Sequence, residues 1–253
     1  MRDPKSILIT GASSGIGEAL ALEYAAPGTF LALTGRDAER LDGVAAAARA
    51  RGAVVEARAI DVLDRAGMKD WLLQLDAAHP LDLAVANAGV GLEGDRKLGE
   101  EDAMRGTFAV NVEGVLNTVL PLLPAFRARR RGQIAVMASL ASFVGLPQSA
   151  AYNGSKAAVR VWGESLRLSE RKNGVEVSVI CPGFVVSRMT ARNSFRMPFL
   201  MSAEKAAGRI RRGLARNKAR IAFPFGTKAA VWLGIALPAS LTDRLMQSGS
   251  RGK

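Results

Sequence analysis

Tyr152 and Lys156 stand four residues apart in the segment Ala-Ala-Tyr-Asn-Gly-Ser-Lys-Ala-Ala, and Ser139 lies thirteen residues before the tyrosine. Residues at i and i+4 share a helix face, so this spacing holds a lysine ammonium near a phenol. The unperturbed pKa of a phenol is about 10. A neighbouring positive charge favours the phenolate and moves Tyr152 toward the range where it exchanges protons at cellular pH. A serine hydroxyl in reach adds a donor for an oxygen on which charge develops.

A second chemical signal lies near the start, in Thr10-Gly11-Ala12-Ser13-Ser14-Gly15-Ile16-Gly17. The apolar β-branched run Ile7–Thr10 precedes it and a helical pattern, Gly17–Ala25, follows. Strand, glycine turn and helix form the arrangement that binds dinucleotide phosphates, because backbone N–H groups and the positive helix end face the pyrophosphate. The spacing Gly-x3-Gly-x-Gly is wider than GxGxxG. The second strand ends Leu33-Thr34-Gly35-Arg36-Asp37. An acid at such a position bonds a ribose 2′-OH, whereas an arginine accommodates a 2′-phosphate. Gly35 followed by Arg36 therefore favours NADP(H), with NAD(H) the alternative. Asp37 either serves the ribose after a two-residue shift or caps the helix that begins at Ala38.

These groups need a frame. Apolar runs at Ile7–Thr10, Phe30–Thr34, Val54–Asp61, Leu81–Ala86, Gln133–Ser139, Val175–Cys181 and Arg220–Phe223 read as strands. Helical patterns occupy Gly17–Ala25, Ala38–Ala50, Ala66–Ala77, Asp102–Arg130, Ala151–Lys172 and Ala203–Asn217. Strands apolar on both faces, alternating with helices, predict an α/β doubly wound, Rossmann-type sheet of about seven parallel strands. The absence of repeats and linkers predicts a single domain over residues 1–253. Phe184 to Met201, rich in Met and Phe and broken by Pro198, reads as a flap over a site. An apolar segment covers about 226–246.

With this frame in place the chain resembles the classical short-chain dehydrogenase/reductase family over essentially its whole length. Thr10–Gly17, Asp61-Val62, Asn87-Ala88-Gly89, Asn111, Ser139, Tyr152-x3-Lys156 and Pro182-Gly183 occur in the family's order and approximate spacing. The resemblance implies that Tyr152 exchanges a proton with the substrate oxygen and that Ser139 hydrogen-bonds it. It also implies that Lys156 lowers the Tyr152 pKa and binds the nicotinamide ribose, while Asn111 holds a water linking Lys156 to solvent. Gly11, Ser13, Ser14, Gly15, Ile16 and Gly17 would cradle the phosphates, with Arg36 at the 2′ position. Asp61 and Val62 would meet the adenine; Asn87, Ala88 and Gly89 would line the cleft. Beyond Pro182 and Gly183, Val185 and Ser187 would meet the carboxamide. Ala86 departs from the family's usual first Asn, and Ser187 from its commoner Thr.

Hydrophobic residues make up 49% of the 253 and charged residues 23%, enough apolar material for a large core. The single cysteine, Cys181, excludes an internal disulfide and fits a reducing, cytoplasmic setting. No signal peptide is evident in the first residues. The lone histidine, His79, sits before Pro80 at a helix end, and no metal site is expected. The net charge of +12 is concentrated in Arg127–Arg131 and between Lys205 and Arg220. Helix ends and a solvated helix face account for such runs; an anionic membrane surface is the sharper alternative, and no nucleic acid is expected.

The side chains expected around a substrate, Leu140, Phe143, Leu146, Phe184, Met189, Phe195, Met197 and Phe199, are apolar, which suits a hydrophobic ketone, aldehyde or secondary alcohol. Arg188 and Arg192 could instead turn inward to hold an anionic group. The leading expectation is an NADP-preferring carbonyl reductase or alcohol dehydrogenase. Its competitors are a non-catalytic NADPH sensor of the same fold and a membrane-surface reductase of lipid-like substrates. The family resemblance implies a homodimer or homotetramer formed through the helices bearing Asn111 and Tyr152, and the apolar stretch Val112–Phe126 leaves a surface for a partner.

Overall fold

The computed structural model describes residues 3–93, 98–147, 149–192 and 197–237. Seven strands, β1 (Ser6–Thr10), β2 (Phe30–Gly35), β3 (Val54–Ala59), β4 (Leu83–Ala86), β5 (Gln133–Met137), β6 (Glu176–Pro182) and β7 (Arg220–Phe223), form one parallel sheet in the order 3-2-1-4-5-6-7. The order reverses between β1 and β4. Ligands of open α/β sheets bind beyond the strand ends at this switch point.

Side chains alternate across the sheet, so each face carries its own core. Ile7, Ile9, Leu31 and Leu33 pack one face against α1 (Gly15–Tyr24), α2 (Ala38–Ala50) and, through Ala206, Ile210 and Leu214, α8 (Ala203–Ala215). Leu8, Ala84, Ile134 and Val136 pack the other against Met68 and Trp71 of α3 (Arg65–Ala78), Phe126 of α6 (Leu123–Ala128) and Val159 of α7 (Ala150–Glu170). Cys181 is fully buried there, and burial pushes its thiol up to about 12. His79 stacks on the Phe30 ring, with centroids 4.0 Å apart.

The long helix expected over Asp102–Arg130 is interrupted. It runs as α4 (Glu100–Phe108), a π-helical turn Ala109–Glu113, α5 (Gly114–Val119) and then α6. Pro121 between α5 and α6 lacks an N–H and cannot continue a helix, and Pro124 sits in the first turn of α6, where that loss is harmless. Glu100–Ala128 is long and apolar enough to cross a membrane by composition, yet half of its most apolar window is buried inside the fold. It is a core element. The last described helix is α9 (Phe225–Ala236).

The segment between Phe184 and Met201 is pinned at its ends. Val186 N–H donates to the Met201 carbonyl at 2.8 Å, and Met201 N–H to that of Phe184 at 3.0 Å. Residues 193–196 of the expected flap, Phe195 among them, and 238–246 of the apolar segment lie outside the described residues.

Candidate active site

Ser139 follows β5 and caps the 3₁₀ turn Leu140–Phe143. Its Oγ accepts from Ala141 N–H at 3.1 Å and lies 3.4 Å from the Pro182 carbonyl, to which it can donate. Tyr152 is the third residue of α7 and is half-buried. Its hydroxyl is hydrogen-bonded to Ser139. Lys156, one turn on and 3% exposed, donates from Nζ to the Met137 carbonyl at 2.9 Å. The fully buried Asn111 lies in the π turn. Its amide brackets Val90, accepting from N–H at 2.8 Å and donating to C=O at 2.9 Å, and donates to Ser155 Oγ at 2.9 Å. A Cβ on Gly89 would fall 2.9 Å from Lys156 Nζ and 3.0 Å from Asn111 Oδ1, so Gly89 is in contact with the group. The tetrad expected from sequence therefore converges past β4 and β5.

The electrostatics differ from expectation. Burial raises the Tyr152 pKa, the Ser139 hydrogen bond lowers it and the Glu93 charge raises it again, with a net upward direction. Burial also pushes Lys156 down to about 8. The expected lowering of Tyr152 by Lys156 is not found. Nζ lies 6.0 Å from the tyrosine ring centroid and points at Met137, and removing both groups from water disfavours both charged forms.

Sequence reasoning missed Glu93. Its Oε1 accepts from the Tyr152 backbone N–H at 2.8 Å, and Thr107 Oγ1 lies 3.4 Å from Oε2. Ser149, the N-cap of α7, makes no side-chain cap bond. A carboxylate distant in sequence thus satisfies an open donor in the first turn of the helix that carries Tyr152. A lone acid after Asn-Ala-Gly gives no spacing signal for this.

The glycine turn meets the same region. Gly11 and Gly15 have φ of 65° and 60°, in the left-handed region. A Cβ on Gly17 would overlap the Gly11 carbonyl oxygen and approach Asn87 Nδ2 to 2.6 Å. Asn87 Nδ2 donates to the Thr10 carbonyl at 2.9 Å, while Thr10 Oγ1 accepts from Asn87 and Ala88 N–H, both at 3.1 Å. Ser14 is the N-cap of α1 with no side-chain cap bond, and Ile16 packs against the core. Ser187 faces Gly15, its Cβ 3.1 Å from where a Cβ would stand there. Pro182 and Gly183 close β6, and Val185 is buried beside Met201.

At the end of β2, Gly35 abuts Ser13: an added Cβ would lie 3.0 Å from its Oγ, so a larger side chain is crowded. Arg36 is exposed and reaches Asp61 only at 4.0 Å. Asp37 caps α2, accepting from Arg40 N–H at 3.0 Å and pairing with its guanidinium at 2.5 Å, which engages the carboxylate otherwise available to a ribose. Asp61 Oδ1 accepts from Leu63 N–H at 2.9 Å. The Val62 side chain is buried against Gly114.

The expected substrate walls divide. Gly91 and Met189 adjoin one another, and Gly91 lies against the Tyr152 ring. Leu140 is buried in the core, Phe143 lies under Arg160 and Arg220, and Phe199 packs on Gly226. Arg188 is exposed, and the Arg192 side chain lies outside the described set.

The short chain dehydrogenase family model matches residues 5–196. The chain belongs to this family. An uncharacterized oxidoreductase of Myxococcus xanthus (strain DK1622) is 39% identical over 240 residues, covering 94% of this chain and 95% of that protein. A short chain dehydrogenase/reductase from Burkholderia phymatum, solved in complex with NAD, is 26% identical over 96% of each chain, with a TM-score of 0.82. One from Sphingobium yanoikuyae, solved with NADPH, shares the fold at 24% identity and a TM-score of 0.80, over 98% of this chain and 96% of that one. The protein is an oxidoreductase acting between CH–OH and C=O groups.

Proposed function

We propose that the protein reduces a hydrophobic ketone or aldehyde with NADPH, Tyr152 delivering the proton. The observation that carries this is the Ser139–Tyr152 hydrogen bond beside the buried Lys156, next to a glycine turn with two left-handed glycines. Nicotinamide, when bound, supplies the hydride. Gly11, Ser13, Ser14, Gly15, Ile16 and Gly17 would hold the pyrophosphate. The two left-handed glycines and the uncapped first turn of α1 support that role, since exposed N–H groups bind anions. Asp61 and Val62 would meet the adenine, Asn87, Ala88 and Gly89 the cleft floor, and Pro182, Gly183, Val185 and Ser187 the carboxamide end.

Tyr152 gives its phenolic proton to the oxygen on which charge develops, and Ser139 Oγ donates to the same oxygen. Burial raises the phenol's pKa, so the group stays protonated at neutral pH, the form that delivers a proton. Lys156, with a pKa near 8, stays mostly an ammonium at neutral pH and anchors to Met137. Asn111 holds the loop after β4 against α7. The π turn that contains it is a device common at functional sites.

The NADP preference rests on Gly35, Arg36 and the engagement of Asp37 with α2. A hydrophobic substrate fits Gly91 and Met189 beside Tyr152. We also read the exposed Leu120, Val161 and Leu168 as the seat of a second copy, a homodimer or homotetramer being the assembly.

Reduction of a series of apolar ketones with each cofactor tests this. Tyr152→Phe should lower kcat about 10³-fold with NADPH binding retained, and Arg36→Ala should raise the KM for NADPH about tenfold while sparing NADH. Activity surviving in Tyr152→Phe would sink the mechanism. NADH favoured by the unaltered protein would sink the preference.

A further inference from the structure

The largest basic concentration in the fold lies away from Tyr152. A cleft of about 630 Å³ between α8, β7 and α9 is lined by Arg209, Arg212, Arg216, Lys218, Arg220 and Lys228, with no acidic side chain on its wall. Arg220 alone has a carboxylate partner, Glu164. Among the described residues the other five have no ion pair. Gathering like charges without counter-charges destabilises a fold through self-repulsion, so the arrangement calls for an anion from outside.

The same edge is apolar where it protrudes. Phe225, Trp232 and Leu233 of α9 are 78%, 49% and 67% exposed, and Phe199 and Leu200 add to the exposed apolar area, Phe199 by packing on Gly226. Trp232 and Lys228 belong to both features, since they also line the cleft. Arg220 stacks under the Trp232 ring at 5.9 Å, tying the aromatic to the cationic wall.

We infer that this face docks on an anionic lipid bilayer, the cationic cleft receiving headgroup phosphates and Phe225, Trp232 and Leu233 of α9 entering the acyl boundary. A cationic collar beside Trp, Phe and Leu is the chemistry of interfacial binding. The twelve residues of α9 extend about 18 Å at 1.5 Å each, too short for a hydrocarbon core of about 30 Å, so the helix lies in the interface and does not span it. A second copy is a poor occupant, because two-fold contact would set these cations against their own duplicates. Nucleic acid would satisfy the charge but leave Leu233 and Phe225 without an apolar partner.

The inference is independent of the reaction chemistry. It is tested with the full chain and phosphatidylcholine vesicles, with and without phosphatidylglycerol. We expect co-sedimentation with the anionic vesicles only, weakening with salt, and a blue shift of tryptophan emission that Trp232→Phe abolishes. Arg212→Glu/Arg216→Glu should weaken vesicle binding at least about tenfold while ketone reduction in vesicle-free buffer continues. Leu233→Ser should weaken binding but leave its salt dependence. Failure of the unaltered protein to sediment with anionic vesicles would overturn the inference. So would binding unchanged in the double variant, or binding to a single-stranded oligonucleotide in place of vesicles.

Discussion

Glu93 sets two properties of Tyr152 at once. Its carboxylate fixes the tyrosine's backbone through the 2.8 Å hydrogen bond, and its charge opposes ionisation of the phenol. Glu93→Gln keeps an acceptor for that N–H and removes the charge. With the negative neighbour gone the phenolate is less disfavoured, so the Tyr152 pKa falls. The limb that Tyr152 governs should therefore move to lower pH, the basic limb in reduction and the acidic limb in oxidation, and a titration of kcat in each direction would show it. A substitution acting only on packing would lower kcat without moving the limb. At this scale the sequence was informative wherever spacing was local. Tyr152 and Lys156 are one helical turn apart, and Asp37 stands where an N-cap must. It was silent where a partner is remote: the contacts of Glu93 with Tyr152 and of Lys156 with Met137 arise only from folding, as does the burial that raises the phenol rather than lowering it.

Strands and helices were legible because each has a period. The all-apolar runs became the buried interior strands, and the exact extent of α2 follows from Asp37 at its start. What periodicity could not show is the break in the helix that carries Asn111, since an apolar helix reads the same whether its turns hold 3.6 residues or briefly more. Pro121, passed over in reading one unbroken helix across Asp102–Arg130, accounts for one interruption, and nothing local marks the π turn. The glycine turn has the opposite character, because its constraint is steric. Gly17→Ala would drive a methyl into the Gly11 carbonyl and toward Asn87, forcing apart the turn and the loop after β4. We expect loss of NADPH binding by at least about tenfold together with a stability decrease of about 1–3 kcal/mol, measured by fluorescence titration and urea unfolding. Gly28→Ala, where a Cβ meets nothing within 4 Å but φ is 76°, should lose stability without losing binding.

Over the whole molecule the two basic concentrations part company. The run from Arg127 to Arg131 looked in sequence like a patch facing solvent, yet three of its arginines close on carboxylates from other elements. Arg127 forks onto Glu170, Arg131 reaches Asp82, and Arg129 makes a bidentate pair with Asp76 while donating to the Leu81 carbonyl at 2.6 Å. This cluster ties the end of α6 to the end of α3 and to the approach to β4. Arg129→Met would leave Asp76 buried without its cation, a loss of about 3–5 kcal/mol in urea unfolding. Adding Asp76→Asn should restore part of it, which separates a stranded charge from lost packing. Apart from Arg220, which pairs with Glu164, the cations around the α8, β7 and α9 cleft have no such carboxylate among the described residues, and total charge alone could not have distinguished the two sets.

The staple between Phe184 and Met201 has a consequence for how relatives of this protein can diverge. Because the loop leaves and rejoins the body at adjacent points, the part of it beyond Ser187 and Met189, which touch the site, can change in length and composition without transmitting a displacement to Ser139, Tyr152 or Lys156. On the proposed reading of this segment as a flap over the site, substrate range is separable from catalytic competence, a division of labour in which one segment can be exchanged between enzymes while the reactive core is inherited unchanged.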